Sequence, residues 1–294
     1  MFFRLPSIQL HTWGGLGSQL YALALRTEIL ELYPKRRVEM HLHTGGVTRR
    51  LSELDGIIDS SLLISVSDFS ETEISGNPSP GRLNFLRRKL FSRGTILPVL
   101  LKTGIISRFD SDEQNLVIKP WLRQIRGHYS SRRIPLAVLK RIYGDLLQMG
   151  LLHTVLPTTE RKGIHYRLGD LLVIGSKHPT SIDSLKEGIE LANSLDPGRD
   201  CLVFSDSVDS ARKMLASQPL GLDFKPGTGN TWQAISNLVQ IEIFVGTASK
   251  VTEWVTIFRL LRDPNSCSIV PESLKPLVER QFGPSTEFRN LYFY

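Results

Sequence analysis

Four short clusters in the chain hold residue types that could do chemistry. Gly14-Gly15-Leu16-Gly17 follows an alternating apolar stretch, Ser7 to Trp13, and precedes an apolar-periodic segment from Ser18 to Tyr33. A glycine turn between strand and helix leaves amide N–H groups bare at the positive end of the helix dipole, where a phosphate or another anion binds. As a dinucleotide fingerprint the turn is incomplete, because Leu20 stands where a third small residue belongs and Glu39 lies near the start of the next strand. A purely structural tight turn fits the same residues.

The second cluster is His165-Tyr166-Arg167-Leu168-Gly169-Asp170. On a strand, His165 and Arg167 share a face, and Asp170 falls in the turn beyond. A guanidinium at the carboxyl end of a strand can clamp a diphosphate with two parallel hydrogen bonds and neutralise a leaving nucleotide, with Asp170 orienting Arg167 or His165. The structural alternative is an Arg–Asp pair beside a half-buried histidine. Ser205 and Asp206 end an apolar strand, where a carboxylate can receive a guanine edge or a ribose hydroxyl, or can cap a helix. Thr247, Ser249 and Lys250 stand between a strand and a helix, so hydroxyls, amides and an ammonium converge on one anion site.

The intervening elements must place these clusters at strand ends. Strands are expected at Ser7–Trp13, Val38–His43, Gly163–Leu168, Asp200–Ser205, Ile241–Gly246 and, last, Cys267–Val270. Helices are expected at 18–33, 181–195, 209–217, 230–240 and 250–261. Residues 59–80 read as a surface connection of weak structure, and the following basic stretch as mainly helical with interruptions at Pro98, Pro120 and Pro135. Alternating strands and helices imply parallel sheets covered on both faces. The fold class is therefore α/β, with two Rossmann-like domains facing a cleft: 1–155, with the basic helical segment, and 156–294, with the nucleotide-binding clusters.

The length of 294 residues agrees with two domains of ~150 residues each. A composition with 41% hydrophobic and 22% charged residues excludes a disordered chain. Two cysteines, Cys201 and Cys267, both in apolar runs, exclude a disulfide scaffold and read as buried thiols. No secretory leader or spanning run is read, so a cytoplasmic protein is expected, peripheral at the inner face of the membrane if the basic segment meets lipid. That segment, Arg82 to Arg141, carries 14 Lys and Arg against three acids, a local charge of +11 within a total of +7. Phe85, Leu86, Leu90 and Phe91 flank Arg87, Arg88 and Lys89 in it, a pattern that fits an anionic membrane surface or a lipid-diphosphate acceptor as well as an ordinary solvated face. No nucleic-acid module accompanies the charge, and no nucleic-acid partner is expected.

Competing motifs fail. Asp110-Ser111-Asp112 has a spacing used to hold a divalent metal, but no apolar strand runs into it. No GxxxxGK[ST], HExxH or GxSxG segment occurs, and His41, His43, His128, His153 and His178 show no metal-ligand spacing with cysteines or acids. No metal site is expected.

Taken in order, the clusters resemble the α1,2-fucosyltransferase family and its α1,6- and protein O-fucosyltransferase relatives. Gly14-Gly-Leu-Gly-Ser-Gln-Leu20 corresponds to its N-terminal GGLGNQL segment and His165-Tyr-Arg-Leu-Gly-Asp170 to its HxRRxD motif. Phe204-Ser-Asp206 matches its FSD strand end, and Ala248-Ser-Lys-Val-Thr-Glu-Trp254 its NSSFSWW-like segment. Ser18, Leu168, Lys250 and Glu253 depart from those patterns. The resemblance implies a GT-B-like, inverting, metal-independent glycosyltransferase without a cofactor. Its donor would be GDP-fucose or another nucleotide diphosphate sugar, and its acceptor a glycan or lipid-linked glycan. Arg167 would stabilise the departing diphosphate, Ser205 and Asp206 would hold base or ribose, and the amides of Thr247 to Lys250 and the Gly14–Gly17 turn would assist. His11, ahead of the glycine turn and with an ordinary imidazole pKa, is the candidate base for the acceptor hydroxyl. The alternatives are an NAD-dependent oxidoreductase and a non-catalytic protein that keeps the fold.

Overall fold

Runs such as Ile8-Gln-Leu-His-Thr-Trp13 and Lys162-Gly-Ile-His165 are buried on both faces, which is what strands in the middle of a parallel sheet require. The computed structural model describes residues 7–44, 50–66, 97–108, 121–153, 160–172 and 179–294. The Phe85–Phe91 stretch, Asp110-Ser111-Asp112 and His178 lie outside these, as does the side chain of Asp170. The chain divides into two units, Met1–Val138 and Leu139–Tyr294. The sequence-based boundary after residue 155 lies beyond the helix in which this division falls.

In the first unit, β1 (Ile8–Trp13), α1 (Leu16–Leu32) and β2 (Val38–His43) form a β-turn-α-β unit, followed by β3 (Leu63–Val66). Next come α2 (Leu97–Thr103), β4 (Ile106–Arg108) and β5 (Gln124–Arg126). The five strands form a parallel sheet of order β3-β2-β1-β5-β4. The direction of winding reverses between β1 and β5. Helix α1 is anchored by a buried ion pair between Glu28 and Arg132, with Nη1 to Oε2 at 3.0 Å and Nη2 to Oε1 at 3.2 Å.

Two expectations fail in this unit. The connection at 59–80 contains β3, an edge strand whose Ile64 and Ser65 face solvent and so give no apolar run. Among the described residues of the basic segment, the strands β4 and β5 accompany the helices, each only three residues long and too short for periodicity to register. Pro98 does not interrupt a helix either; it sits in the first turn of α2, where its missing N–H costs nothing.

Helix α3 (Leu136–Gln148) spans the boundary. The second unit then alternates regularly through β6 (Lys162–His165), α4 (Ile182–Leu195), β7 (Asp200–Phe204), α5 (Val208–Ala216) and β8 (Asp223–Pro226). It continues through α6 (Thr231–Gln240), β9 (Ile243–Gly246), α7 (Lys250–Arg262), β10 (Cys267–Val270), α8 (Lys275–Phe282) and β11 (Leu291–Phe293). Its parallel sheet has the order β11-β10-β9-β6-β7-β8, the doubly wound dinucleotide-fold arrangement with its switch point between β6 and β9. Both units are thus Rossmann-like, as expected. Strand β10 is not the last, since β11 pairs with it at the sheet edge.

Helix starts follow the polar residues that precede them. Ser181 caps α4 by accepting from Ser184 N, and Asn230 forms a capping box with Gln233. Arg259, fully buried on α7, satisfies the end of α6 and two strand starts. Its Nη1 donates to the carbonyls of Leu238 (2.8 Å) and Ile241 (2.6 Å), its Nη2 to those of Glu242 (3.0 Å) and Cys267 (2.7 Å), and its Nε to Ser268 Oγ (2.9 Å). Burial, followed by nearby Arg262, lowers its pKa to about 9. Cys201 is a buried thiol as expected, its pKa pushed up to about 12 by burial. Among the described residues no helix is long and apolar enough to cross a membrane.

Candidate functional site

Three of the four clusters meet at the carboxyl ends of β6, β7 and β9, on the switch point of the second sheet. Strand β6 stops at His165, so Arg167 is not on the strand beside it; residues 166–168 thread between the ends of the neighbouring strands instead. Each amide in this stretch has a fixed acceptor. Tyr166 N donates to Phe204 O (2.9 Å), Arg167 N to Thr247 Oγ1 (3.0 Å) and Leu168 N to Asp206 Oδ1 (3.0 Å). Thr247 Oγ1 in turn donates to His165 O at 3.0 Å. The backbone that carries Arg167 is therefore tied to both neighbouring strands.

Asp206 stands beside Arg167, with Nε 3.0 Å from Oδ2 in an ion pair. Asp206 was expected to hold base or ribose. Its carboxylate, partly exposed, faces Arg167 and accepts from the Leu168 amide, and Asp170, the expected orienter, lies on the short turn Gly169–Leu172. Gly169 is what lets Asp206 approach, since a Cβ at this position would overlap the carboxylate. No spacing signal in the sequence marks the contact of Gly169 with a residue 37 positions away. Gly169→Ala is expected to cost about 1–3 kcal/mol by overpacking and to displace Asp206 from Arg167. Its check is paired thermal unfolding and diphosphate titration, and unchanged diphosphate affinity would contradict the assignment.

His165 is buried, with Nδ1 3.0 Å from Thr252 Oγ1 and 3.4 Å from Ser249 Oγ. Burial first, then the Arg167 charge, lowers its pKa to about 4. It is neutral at pH 7 and fixes the first turn of α7 against the end of β6. Ser249 is the N-cap of that helix, accepting from Thr252 N at 3.1 Å, and Lys250 is its first residue. Two of the amides expected to receive an anion are already used: Thr247 N donates to His165 O (3.1 Å) and Ala248 N to Thr180 Oγ1 (3.2 Å). Ser205 Oγ accepts from Ser207 N at 3.0 Å, inside the turn. The arrangement sets the Arg167 guanidinium, its counter-ion and the α7 N-terminus with Lys250 on adjacent strand ends, a geometry suited to a bound diphosphate.

The Gly14–Gly17 turn belongs to the first unit. Gly14 adopts φ +97°, which requires glycine, and α1 begins at Leu16 as expected of a strand-turn-helix. Its anion is supplied from within the chain: Leu16 N donates to Glu53 Oε1 at 3.1 Å. Gln19 pins the same loop, with Nε2 to Leu51 O (3.0 Å) and Oε1 accepting from Glu53 N (2.9 Å). The expected phosphate position at this helix start is thus held by a carboxylate 37 residues later in the chain.

His11, near the end of β1, lies in a ring cluster that the sequence did not signal. Its ring stacks on His41 (4.7 Å) and His43 (5.2 Å), and Trp13 stacks on His43 (4.8 Å); His11 Nδ1 lies 2.9 Å from His43 Nε2. His11 does not keep an ordinary imidazole pKa. Burial first, then Arg126, His41 and His43, lowers it to about 2, so it is neutral and a weak base. His41 is lowered as well, by burial, against the opposing pull of Glu39. Below pH 6.5 the unfolded chain takes up protons that these native imidazoles refuse, so stability falls as the pH falls, by roughly 1 kcal/mol per unit for His11. Urea midpoints between pH 7 and pH 5 should drop, and less steeply in His11→Phe; parallel profiles for the two proteins would contradict this. Among the described residues no group of three or more His, Cys, Asp or Glu is placed to hold a metal ion.

No family model matches the sequence, and no curated protein does. Solved structures do show similarity. Escherichia coli ADP-heptose LPS heptosyltransferase II aligns at 11% identity over 98% of this chain and 90% of its own, with a TM-score of 0.44. E. coli heptosyltransferase WaaC with ADP-2-deoxy-2-fluoro heptose aligns at 11% identity over 98% and 92%, with a TM-score of 0.45. POFUT1 in complex with GDP aligns at 11% identity over 92% and 99%, with a TM-score of 0.37. At these scores no residue role passes from them to this chain.

Proposed function

We propose that the protein is a glycosyltransferase that takes a sugar from a nucleoside diphosphate donor, GDP-fucose being the donor its motif resemblance implies, and passes it to a glycan hydroxyl. The observation that carries this reading is the Arg167–Asp206 pair beyond the ends of β6 and β7, next to the β6/β9 switch point, with the backbone of residues 167 and 168 fixed from both sides. Glycosyl transfer leaves a diphosphate with growing negative charge. A guanidinium held before the reaction stabilises that charge without reorganising, and Lys250 with the first turn of α7 adds to it. The proposal gives this task to side chains and requires no metal ion. Neutral His165 positions the α7 turn rather than carrying a proton.

The strand order of the second unit favours one competing reading, an NAD-dependent oxidoreductase, because the same order serves dinucleotides. Glu53 on the α1 start counts against dinucleotide binding at the glycine turn, since a pyrophosphate there would face a carboxylate. Release of nucleoside diphosphate from GDP-fucose, with a panel of oligosaccharides and lipid-linked glycans as acceptors, tests the proposal. Release dependent on both donor and acceptor is expected; hydride transfer from NADH without any diphosphate release would overturn it.

A further inference from the structure

We infer that the edge of the first unit built by α2, β4 and the residues entering β5 docks on an anionic lipid surface. Trp121 Nε1 donates to Thr103 O at 2.7 Å, which fixes the indole against the last turn of α2 while half of the side chain, 51%, stays exposed. Val99 lies one helical turn before Thr103 on the same face of α2 and is 56% exposed. Lys102 and Arg123 are exposed beside them, and the Arg123 amide donates to Ile105 O at 3.0 Å, which binds the two stretches together. An aliphatic side chain, an anchored indole and two cations thus share one surface.

Charge selects the occupant. Within the described stretches 97–108 and 121–126 no acidic residue occurs, and Lys102 and Arg123 are exposed. Tryptophan and lysine or arginine together are the residues that settle at a headgroup boundary, the ring at the level of the glycerol and the charges on anionic headgroups. A nucleic acid strand would use the cations and the indole but give exposed Val99 nothing to contact. The patch belongs to the first unit and shares no residue with the Arg167 site, so its test does not depend on the proposed transfer.

Co-sedimentation of the full chain with vesicles of phosphatidylcholine, alone or mixed with phosphatidylglycerol, decides the matter. Binding is expected only to the phosphatidylglycerol vesicles and should weaken as salt is raised. Lys102→Glu combined with Arg123→Glu should lower it by about tenfold or more. Trp121→Ser should also weaken it, and Val99→Asn provides an exposed aliphatic variant that leaves the Trp121 hydrogen bond in place. Equal binding to both vesicles, no binding to either, wild-type binding by all variants, or tighter binding to a short oligonucleotide would each overturn the inference.

Discussion

Arg167→Ala should reduce donor turnover by about 10²- to 10³-fold, the loss expected when one preorganised electrostatic group is removed from a developing anion. The fold should survive. The side chain is partly exposed, at 23%, and the backbone bonds that position residues 166–168 do not involve it. Asp206 keeps the Leu168 amide as a donor and is itself 24% exposed, so the unpaired carboxylate is solvated rather than stranded. Arg167→Lys should recover part of the loss, because it restores the charge but not the planar fork. Steady-state assays of diphosphate release with wild type, Arg167→Ala and Arg167→Lys check this. Wild-type turnover in Arg167→Ala would remove the guanidinium from the mechanism.

Arg259→Leu should unfold the second unit far more readily. The variant fits an aliphatic chain into the same space but leaves the carbonyls of Leu238, Ile241, Glu242 and Cys267, and the Ser268 hydroxyl, without their donor. Removing one side of a buried charged network costs about 3–5 kcal/mol, a large share of the 5–15 kcal/mol that holds a typical domain folded. For a domain of this size the midpoint should fall on the order of 10 °C. Because the lowered pKa of Arg259, about 9, still leaves it charged at neutral pH, the loss should be nearly constant from pH 6 to pH 8. Calorimetry across that range measures it, and a shift of only a degree or two would mean the carbonyls find other donors.

Arg259 also shows where sequence reading stops. It lies in an apolar helix, Lys250–Arg262, whose existence and limits the pattern predicts, but nothing local reveals that its partners are two strand starts and the end of α6. The same holds for the candidate site. The ends of β7 and β9 are legible to within a residue because buried parallel strands are continuous apolar runs punctuated by polar residues, whereas the end of β6 is read three residues late, at Leu168 rather than His165. Arg167 is singled out by its guanidinium at the carboxyl end of that run, although the reading places it on the strand with His165 and it lies beyond the strand end. The approach of Asp206 is not legible, because it lies 39 residues from Arg167 in sequence and is admitted by the missing side chain of Gly169.

Glu53 is the corresponding case in the first unit. A glycine turn ahead of a helix reads correctly as an anion site, and the structure fills it with a carboxylate from the chain itself. The edge strands β3, β8 and β11, and helix α8, escaped notice for a simpler reason: they are short or half exposed, and their polar residues hide the pattern. The +11 region, read as helical, supplies two strands of the first sheet, β4 at its edge and β5 beside it.

The central claim is that the β6/β9 switch point of the second unit holds a nucleoside diphosphate. Thermal unfolding of wild type and Arg167→Ala with GDP, GDP-fucose, UDP, CMP and NAD measures this directly, since a ligand at about 100 times its dissociation constant stabilises by ~2.7 kcal/mol. Stabilisation of the wild type by a nucleoside diphosphate or its sugar, with a clearly smaller response in Arg167→Ala, is the predicted result. A response to NAD alone, or an equal diphosphate response in both proteins, would contradict it.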